Sequence, residues 1–323
     1  MRKRASSPAR RPGAQRAGGS TLVTERDRRL LAFVAEHRIV LVGHVQALLG
    51  VSGSVAYGRL RGLTGSGLLQ YSRVLHGEPG WYQITRAGLA MIDSDLPTPR
   101  LDLRCYRHDI GVAWLWLAAS RGAFGGVERI VSEREMRSRD AACVAGRSGF
   151  DWSGADRGER VPEAGGDAAT PFGVHLGGVG PRGQARLHYP DLLLVGRAGE
   201  RVAIELELTA KGGRRLETIL IGYGAEPSIA AVLYLAEKPR IRREVAAAAA
   251  RLGISDLIHV QPVAWPAASA ASEAPARAPV RAGIAPAEKD QAAAAGPPAG
   301  RHGGPASTST RTRTEDSRGA LAR

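Results

Sequence analysis

Lysine is almost missing from this chain. Only Lys3, Lys211, Lys238 and Lys289 occur, although lysine and arginine together number 45, so arginine carries nearly all of the positive charge. Cysteine is scarcer still: Cys105 and Cys143 have no second pair beside them, which excludes a disulfide framework and a cysteine zinc site and fits a reducing cytoplasm. No apolar run approaches the ~20 residues of a membrane-spanning helix; the longest runs from Ile110 to Ala119. The basic start is not followed by the apolar segment of a signal peptide. No two histidines flank a single residue, and no Gly-Lys-Ser/Thr triplet occurs. These absences exclude a histidine-cluster relaxase centre and a phosphate-loop ATPase.

What the chain has in excess is positive charge. The formal net charge is +14 and the pI about 10.7, a balance that favours a polyanionic partner, most simply double-stranded DNA. The 323 residues, 43% of them hydrophobic, suffice for two domains with real cores.

Residues 1–20 hold Arg2, Lys3, Arg4, Arg10, Arg11 and Arg16 and no acid, and lack periodicity, as expected of a disordered basic arm. Over 21–94 the pattern is helical, then alternating. Thr24 and Asp27 stand as a capping box before the stripe Leu30, Leu31, Phe33 and Val34. A second helix runs from Val42 to Leu49 and stops at Gly50. Ser52 or Ser54 caps a third, with Val55, Ala56, Leu60 and Leu63 inward and Ser54, Tyr57 and Arg61 outward. A hairpin follows, turning at His76 to Gly80 and returning through Trp81 to Thr85. Three helices and a hairpin predict a winged helix-turn-helix, and Tyr82-Gln83-Ile84-Thr85-Arg86-Ala87-Gly88 resembles the segment that closes the wing in bacterial regulators. The outer face of the third helix would meet the major groove. Ser54, Tyr57 and Arg61 are the candidates there, with Arg59 and Arg73 for phosphates.

The stretch 95–103, with Pro97 and Pro99, reads as a linker. Over 104–265 the expectation is a nuclease-like α/β domain with a mixed sheet, interrupted at 137–185 by a flexible insert poor in apolar periodicity. Within the insert, Gly178 to Gly183 matches GxGxxG formally, but it carries Pro181 and runs into a strand, so it is no dinucleotide site. A helix over Tyr106 to Ser120 carries His108, and Glu133 or Glu135 follows a short strand. Residues 266–323, rich in Ala, Pro, Gly, Ser and Thr, read as a disordered tail.

The chemistry gathers in Arg186 to Arg215. Val202, Ile204, Leu206 and Leu208 alternate with Ala203, Glu205, Glu207 and Thr209, the pattern of a half-buried strand. Glu205 and Glu207 then share a face, roughly 6 to 7 Å apart at Cα. Lys211 joins them if the parity continues, and Asp191 can enter from the preceding strand through a hairpin-sized turn at Gly196 to Glu200. Three converging carboxylates repel one another unless a hard cation such as Mg²⁺, or Mn²⁺ in its place, sits between them. A lysine beside them could stabilise phosphate charge or help activate a water. The plainer alternative is two solvated glutamates. Arg214 and Arg215, at the start of a helix, suit phosphate.

Pro190-Asp191 and Glu205-Leu206-Glu207 resemble the PD-(D/E)xK nuclease superfamily. That pattern expects lysine where Glu207 stands; some restriction endonucleases of the superfamily carry glutamate there, and Lys211 would be the displaced substitute. From Leu22 to Val263 the chain resembles the replication-relaxation family of plasmids and mobile elements. The resemblance rests on Leu22-Val23-Thr24-Glu25-Arg26-Asp27, the His108 helix, Glu133-Arg134-Glu135, Pro190-Asp191 and Glu205 to Lys211. It implies a cytoplasmic role in plasmid replication or DNA relaxation. One version is an Mg²⁺-dependent endonuclease or nickase with Asp191, Glu205 and Glu207 as metal ligands and Lys211 assisting. The other is a non-catalytic DNA-binding regulator or accessory that recruits replication or transfer proteins or forms a homodimer. A protein-interaction module without DNA affinity is a third.

Overall fold

The structure, a computed structural model, describes residues 23–148, 171–180 and 183–264, without the side chains of 145–148. The expected basic arm, the C-terminal tail and the middle of the expected insert lie outside the described residues.

The first helix, α1 (Glu25–Glu36), starts as its sequence dictates: the Thr24 hydroxyl accepts from the Asp27 amide, and the Asp27 carboxylate takes the Thr24 amide at 2.7 Å. Next comes α2 (Val42–Leu49), stopped by Gly50 at φ 63°, a left-handed conformation that glycine adopts without penalty. Ser52 sits at the N-cap of α3 (Gly53–Gly65) but makes no side-chain cap bond; its hydroxyl is 3.1 Å from that of Ser54. Ala56, Leu60 and Leu63 of α3 are buried, whereas Val55, expected inward, is 55% exposed. One residue is about 100° of helix rotation, enough to carry Val55 off the buried stripe.

The antiparallel pair β1 (Leu69–Ser72) and β2 (Trp81–Ile84) follows, with Val40 bridging Tyr82. Thr85 then caps α4 (Arg86–Met91) through the Gly88 amide at 3.1 Å. The core joining these elements is built from Leu30, Leu31, Phe33, Val34, Val45, Leu60 and Ile84.

Beyond the prolines, α5 (Tyr106–Ser120) is apolar all round and buried on two sides. Ala113 and Leu117 complete the N-terminal core, while Leu115 and Ala119 pack on the sheet. Each buried leucine contributes about 2 kcal/mol to its core. Arg134, itself buried, donates to the carbonyls of Ala35 and Pro97. The proline stretch is thus bridged by a shared helix and by a buried guanidinium.

The second half runs β3 (Arg129–Ser132), α6 (Glu133–Ser148), β4 (Val174–Val179), β5 (Ala185–His188), β6 (Leu192–Val195), β7 (Arg201–Glu207), α7 (Gly213–Gly224), β8 (Ile229–Ala236), α8 (Pro239–Arg251) and β9 (Ile258–Pro262). Five strands form one sheet in the order β3-β6-β7-β8-β9, antiparallel up to β7 and parallel beyond it. The chain is α+β with a mixed sheet, as the sequence predicts. Among the described residues no helix is long and apolar enough to cross a membrane.

Two expectations need correction. Residues 137–148, assigned to a loop, continue α6, and β4, from the same expected insert, pairs antiparallel with β5 at its end. Charge hides α6 from a hydrophobic reading, since Arg137 pairs with Glu133 and Arg139 with Glu135 across one turn, and among its described side chains only Met136 supplies deep apolar burial. Nor is β7 half-buried. Ile204 and Leu206 pack toward α5, while Ala203 faces the side where α7 and α8 lie. Glu205 and Glu207, on that second face, are 2% and 5% exposed.

Candidate acidic site

Asp191 precedes β6, whose antiparallel pairing with β7 aligns Leu192 with Ile204; the acid is thereby brought to the end of β7 that bears Glu205 and Glu207. Its backbone closes the ladder, its amide donating to the Ile204 carbonyl at 3.1 Å. Its Oδ2 accepts from the Leu206 amide at 2.7 Å and lies 3.2 Å from His108 Nε2 of α5. Burial works against the His108 imidazolium, but the charge of Asp191 and bonds to Asp109 and Asp191 outweigh it and push its pKa up to about 11. His108 is therefore a cation at neutral pH.

Glu205 Oε1 receives two contacts. The Tyr223 hydroxyl of α7 donates to it, and His188 Nε2 of β5 lies 2.7 Å away. Burial would raise this carboxyl, yet the charge and hydrogen bond of His188, then Lys211 and Tyr223, hold it well below the usual carboxylate range. Both contacts fall on one oxygen, which leaves Oε2 outside that pair.

Lys211 is not on the strand, as the carried-through parity expected, but in the segment between β7 and α7. Four residues still suffice for its ammonium to reach back to Glu207. Burial disfavours that charge, but Glu205 and Glu207 more than offset it and raise the Lys211 pKa. Glu207 goes the other way from Glu205: burial first, then the nearby charges of Glu205 and Asp191, raise it despite Lys211. The three carboxylates thus repel one another.

One further group bears on a cation. Tyr234 of β8 is registered beside Glu205; its hydroxyl is buried with no hydrogen-bond partner, and it feels the charges of Glu205, Glu207 and Asp191. Among the described residues no three His, Cys, Asp or Glu side chains form a preassembled cation cage; Asp191, Glu205 and Glu207 are turned toward His108, His188 and Lys211. The donor set nevertheless fits a hard divalent ion: oxygen ligands that repel, and an orphaned buried hydroxyl beside them to take a water.

Glu133 stands nearby but is held by Arg38 at 2.6 Å and Arg137 at 2.8 Å. With Asp109 and Asp191 it lines a cavity of about 20 Å³, room for a water and little more.

Comparison of the chain with protein-family models, with curated proteins and with solved structures finds no match.

The residues assigned to DNA are dispersed. Ser54, Tyr57 and Arg61 lie exposed on α3, Tyr57 at 53%, and Arg73 is exposed just after β1. Arg59 differs, since its guanidinium is engaged by both oxygens of the buried Asp27. Arg214 and Arg215 are exposed in the first turn of α7. They line a cleft of about 710 Å³ with Arg137, Arg186 and His188. Sequence reasoning missed His188, Tyr223, Tyr234 and Arg38. His188 lies three residues before Asp191, off its period-two parity, and nothing local marks it or the tyrosines.

Proposed function

We propose that the chain is a metal-dependent DNA phosphodiesterase of replication-relaxation type, with three helices and a hairpin acting as a winged helix on duplex DNA. The observation that carries this reading is the convergence of Asp191, Glu205 and Glu207 from two paired strands with Lys211 at the same strand end. Asp191, Glu205 Oε2 and Glu207 would hold Mg²⁺, which when bound polarises a phosphate oxygen and makes a water more acidic. Lys211 keeps its proton and so serves as a charge stabiliser for the phosphate rather than as a base. His108 holds Asp191 in place.

The test is supercoiled plasmid incubated with the protein and Mg²⁺ or Mn²⁺, beside Asp191→Asn, Glu207→Gln and an EDTA control. Relaxed circles from the wild type alone are expected. Relaxation by either variant at the wild-type rate sinks the assignment.

A second reading has its own support. Each carboxylate already has a basic side chain against it, Asp191 with His108, Glu205 with His188 and Glu207 with Lys211. A site neutralised in this way also suits a non-catalytic DNA-binding regulator or replication accessory, which would shift DNA in a gel without cutting it.

A further inference from the structure

The cleft of about 710 Å³ beside the acidic site is bounded by β4 and β5 on one side, by the first turns of α7 on another, and by Arg137 of α6. Arg186, Arg214 and Arg215 on its walls are exposed, and among the described residues no carboxylate lines it. Arg214 and Arg215 also sit in the first turn of a twelve-residue helix, where free backbone amides add to the attraction for an anion. The floor differs from the walls. His188 lines the cleft while its Nε2 contacts Glu205, and its ring stands edge-on to Tyr223 at 5.7 Å between centroids.

We propose that this cleft binds the phosphate backbone of duplex DNA, with Arg186, Arg214 and Arg215 gripping successive phosphates and His188 on the floor at the end nearest the carboxylates. The inference rests on the reading of the chain as a DNA phosphodiesterase and adds the path of its substrate. Chemistry selects duplex over single strand. A single-strand binder stacks bases on exposed aromatic rings, and no Phe, Tyr or Trp is among the described residues lining this cleft; nearby, the Tyr189 ring is covered by Arg137 at 4.4 Å and the Phe172 ring by Arg201 at 5.2 Å. Arginine without stacking reads charge and spacing, which are properties of the backbone.

The cleft also explains the placement of Glu205. One oxygen of a single buried carboxylate fixes the imidazole on the floor, and the other remains for the ion. Substrate path and acidic site thereby share one residue.

The experiment is fluorescence anisotropy of the full chain with a labelled 20-base-pair duplex and with the matching single strand, in EDTA and over a series of salt concentrations. The variants are Arg186→Glu/Arg214→Glu, His188→Gln, and Tyr57→Ala/Arg61→Ala on α3, each with a melting curve to confirm folding. The arginine variant is expected to lose at least about tenfold in duplex affinity and to flatten the salt slope by about 2, one phosphate per arginine. His188→Gln should lose about two- to threefold, without a change in melting temperature large enough to account for it. Wild-type duplex affinity in the folded arginine variant overturns the proposal, as do equal losses on single strand and duplex, or no binding by the wild type at all. Because EDTA removes cleavage from the readout, a cleft that binds duplex in a protein that never relaxes plasmid would sink the phosphodiesterase and leave the cleft standing.

Discussion

The side-chain amide of Gln83 donates to the backbone carbonyl of Arg38 at 2.8 Å, and Gln70 on the outer strand of the hairpin donates to Gln83 at 3.1 Å. Arg38 in turn reaches Glu133 at 2.6 Å and Asp109 at 3.5 Å, both beside Asp191. A continuous polar chain therefore runs from the hairpin surface to the edge of the acidic site. Removing the charge with Arg38→Met leaves Glu133 and the buried Asp109 without this partner. The expected cost is about 1–3 kcal/mol, below that of a fully buried pair because Arg38 keeps some exposure. Urea denaturation measures it; a change under about 0.5 kcal/mol, the ordinary range for a surface substitution, would show that the chain is decorative.

Arg59 and Arg61 lie two residues apart on α3 and should behave oppositely. Arg59→Ala removes both bonds to Asp27, so stability should fall by about 1 kcal/mol while duplex affinity changes less than in Arg61→Ala. Arg61→Ala should leave the melting temperature in place. Burial would raise the Asp27 carboxyl, but Arg59 and Thr24 bring it below its usual value. Its contribution is thus present above the unfolded-state value and is lost as pH falls through the folded one. Comparing melts at pH 7 and pH 3 for wild type and Arg59→Ala reads this directly: the two should converge in acid.

Glu36 carries a pH dependence of the opposite sign. Burial, then the charge of Glu135, raises its carboxyl to about 7, and its Oε2 is buried without a partner. A folded pKa above the unfolded value means that the contribution is complete below about 4.5 and disappears as pH rises through about 7. Glu36→Gln should therefore stabilise the protein at pH 8, by about 1–2 kcal/mol, and do little at pH 4.5. Equal effects at both pH values would place the titration elsewhere.

Gly88→Ala tests the end of the hairpin. An added Cβ at Gly88 would collide with the Leu68 carbonyl and the Ile84 side chain, while the Gly88 amide must stay on the Thr85 hydroxyl. Overpacking of this kind costs about 1–3 kcal/mol. A variant as stable as the wild type would mean that the hairpin can shift away from α4.

Some of this was legible in the sequence and some was not, for reasons that differ residue by residue. Thr24, Asp27 and Gly50 announced helix ends because capping is a local matter, settled within three or four residues. The alternation from Val202 to Leu208 announced β7 and put Glu205 and Glu207 on one face. It could not say that α7 would cover that face, because a buried glutamate and a solvated one are written alike. Tyr223, His188 and Tyr234 meet Glu205 only through tertiary packing, and no spacing rule connects positions from 188 to 234. The helix from Glu133 was misread for the reverse reason. Its stability comes from charge pairs and from Asp140, which accepts the Phe172 amide at 3.1 Å and the Gly173 amide at 3.0 Å, rather than from a stripe of leucines.

The sharing of α5 between two cores carries a consequence for how such a chain can be divided or inherited. A fragment ending at Ser94 would leave Phe33 and His44 facing solvent where Trp116 and Trp114 belong, and would forfeit the clasp that Arg134 makes on Ala35. No cut at the prolines yields two self-sufficient pieces. The helical half cannot be transplanted onto another body unless α5 travels with it, and α5 brings His108, the partner of Asp191. A gene rearrangement that kept the first half intact would therefore carry one wall of the acidic site along with it.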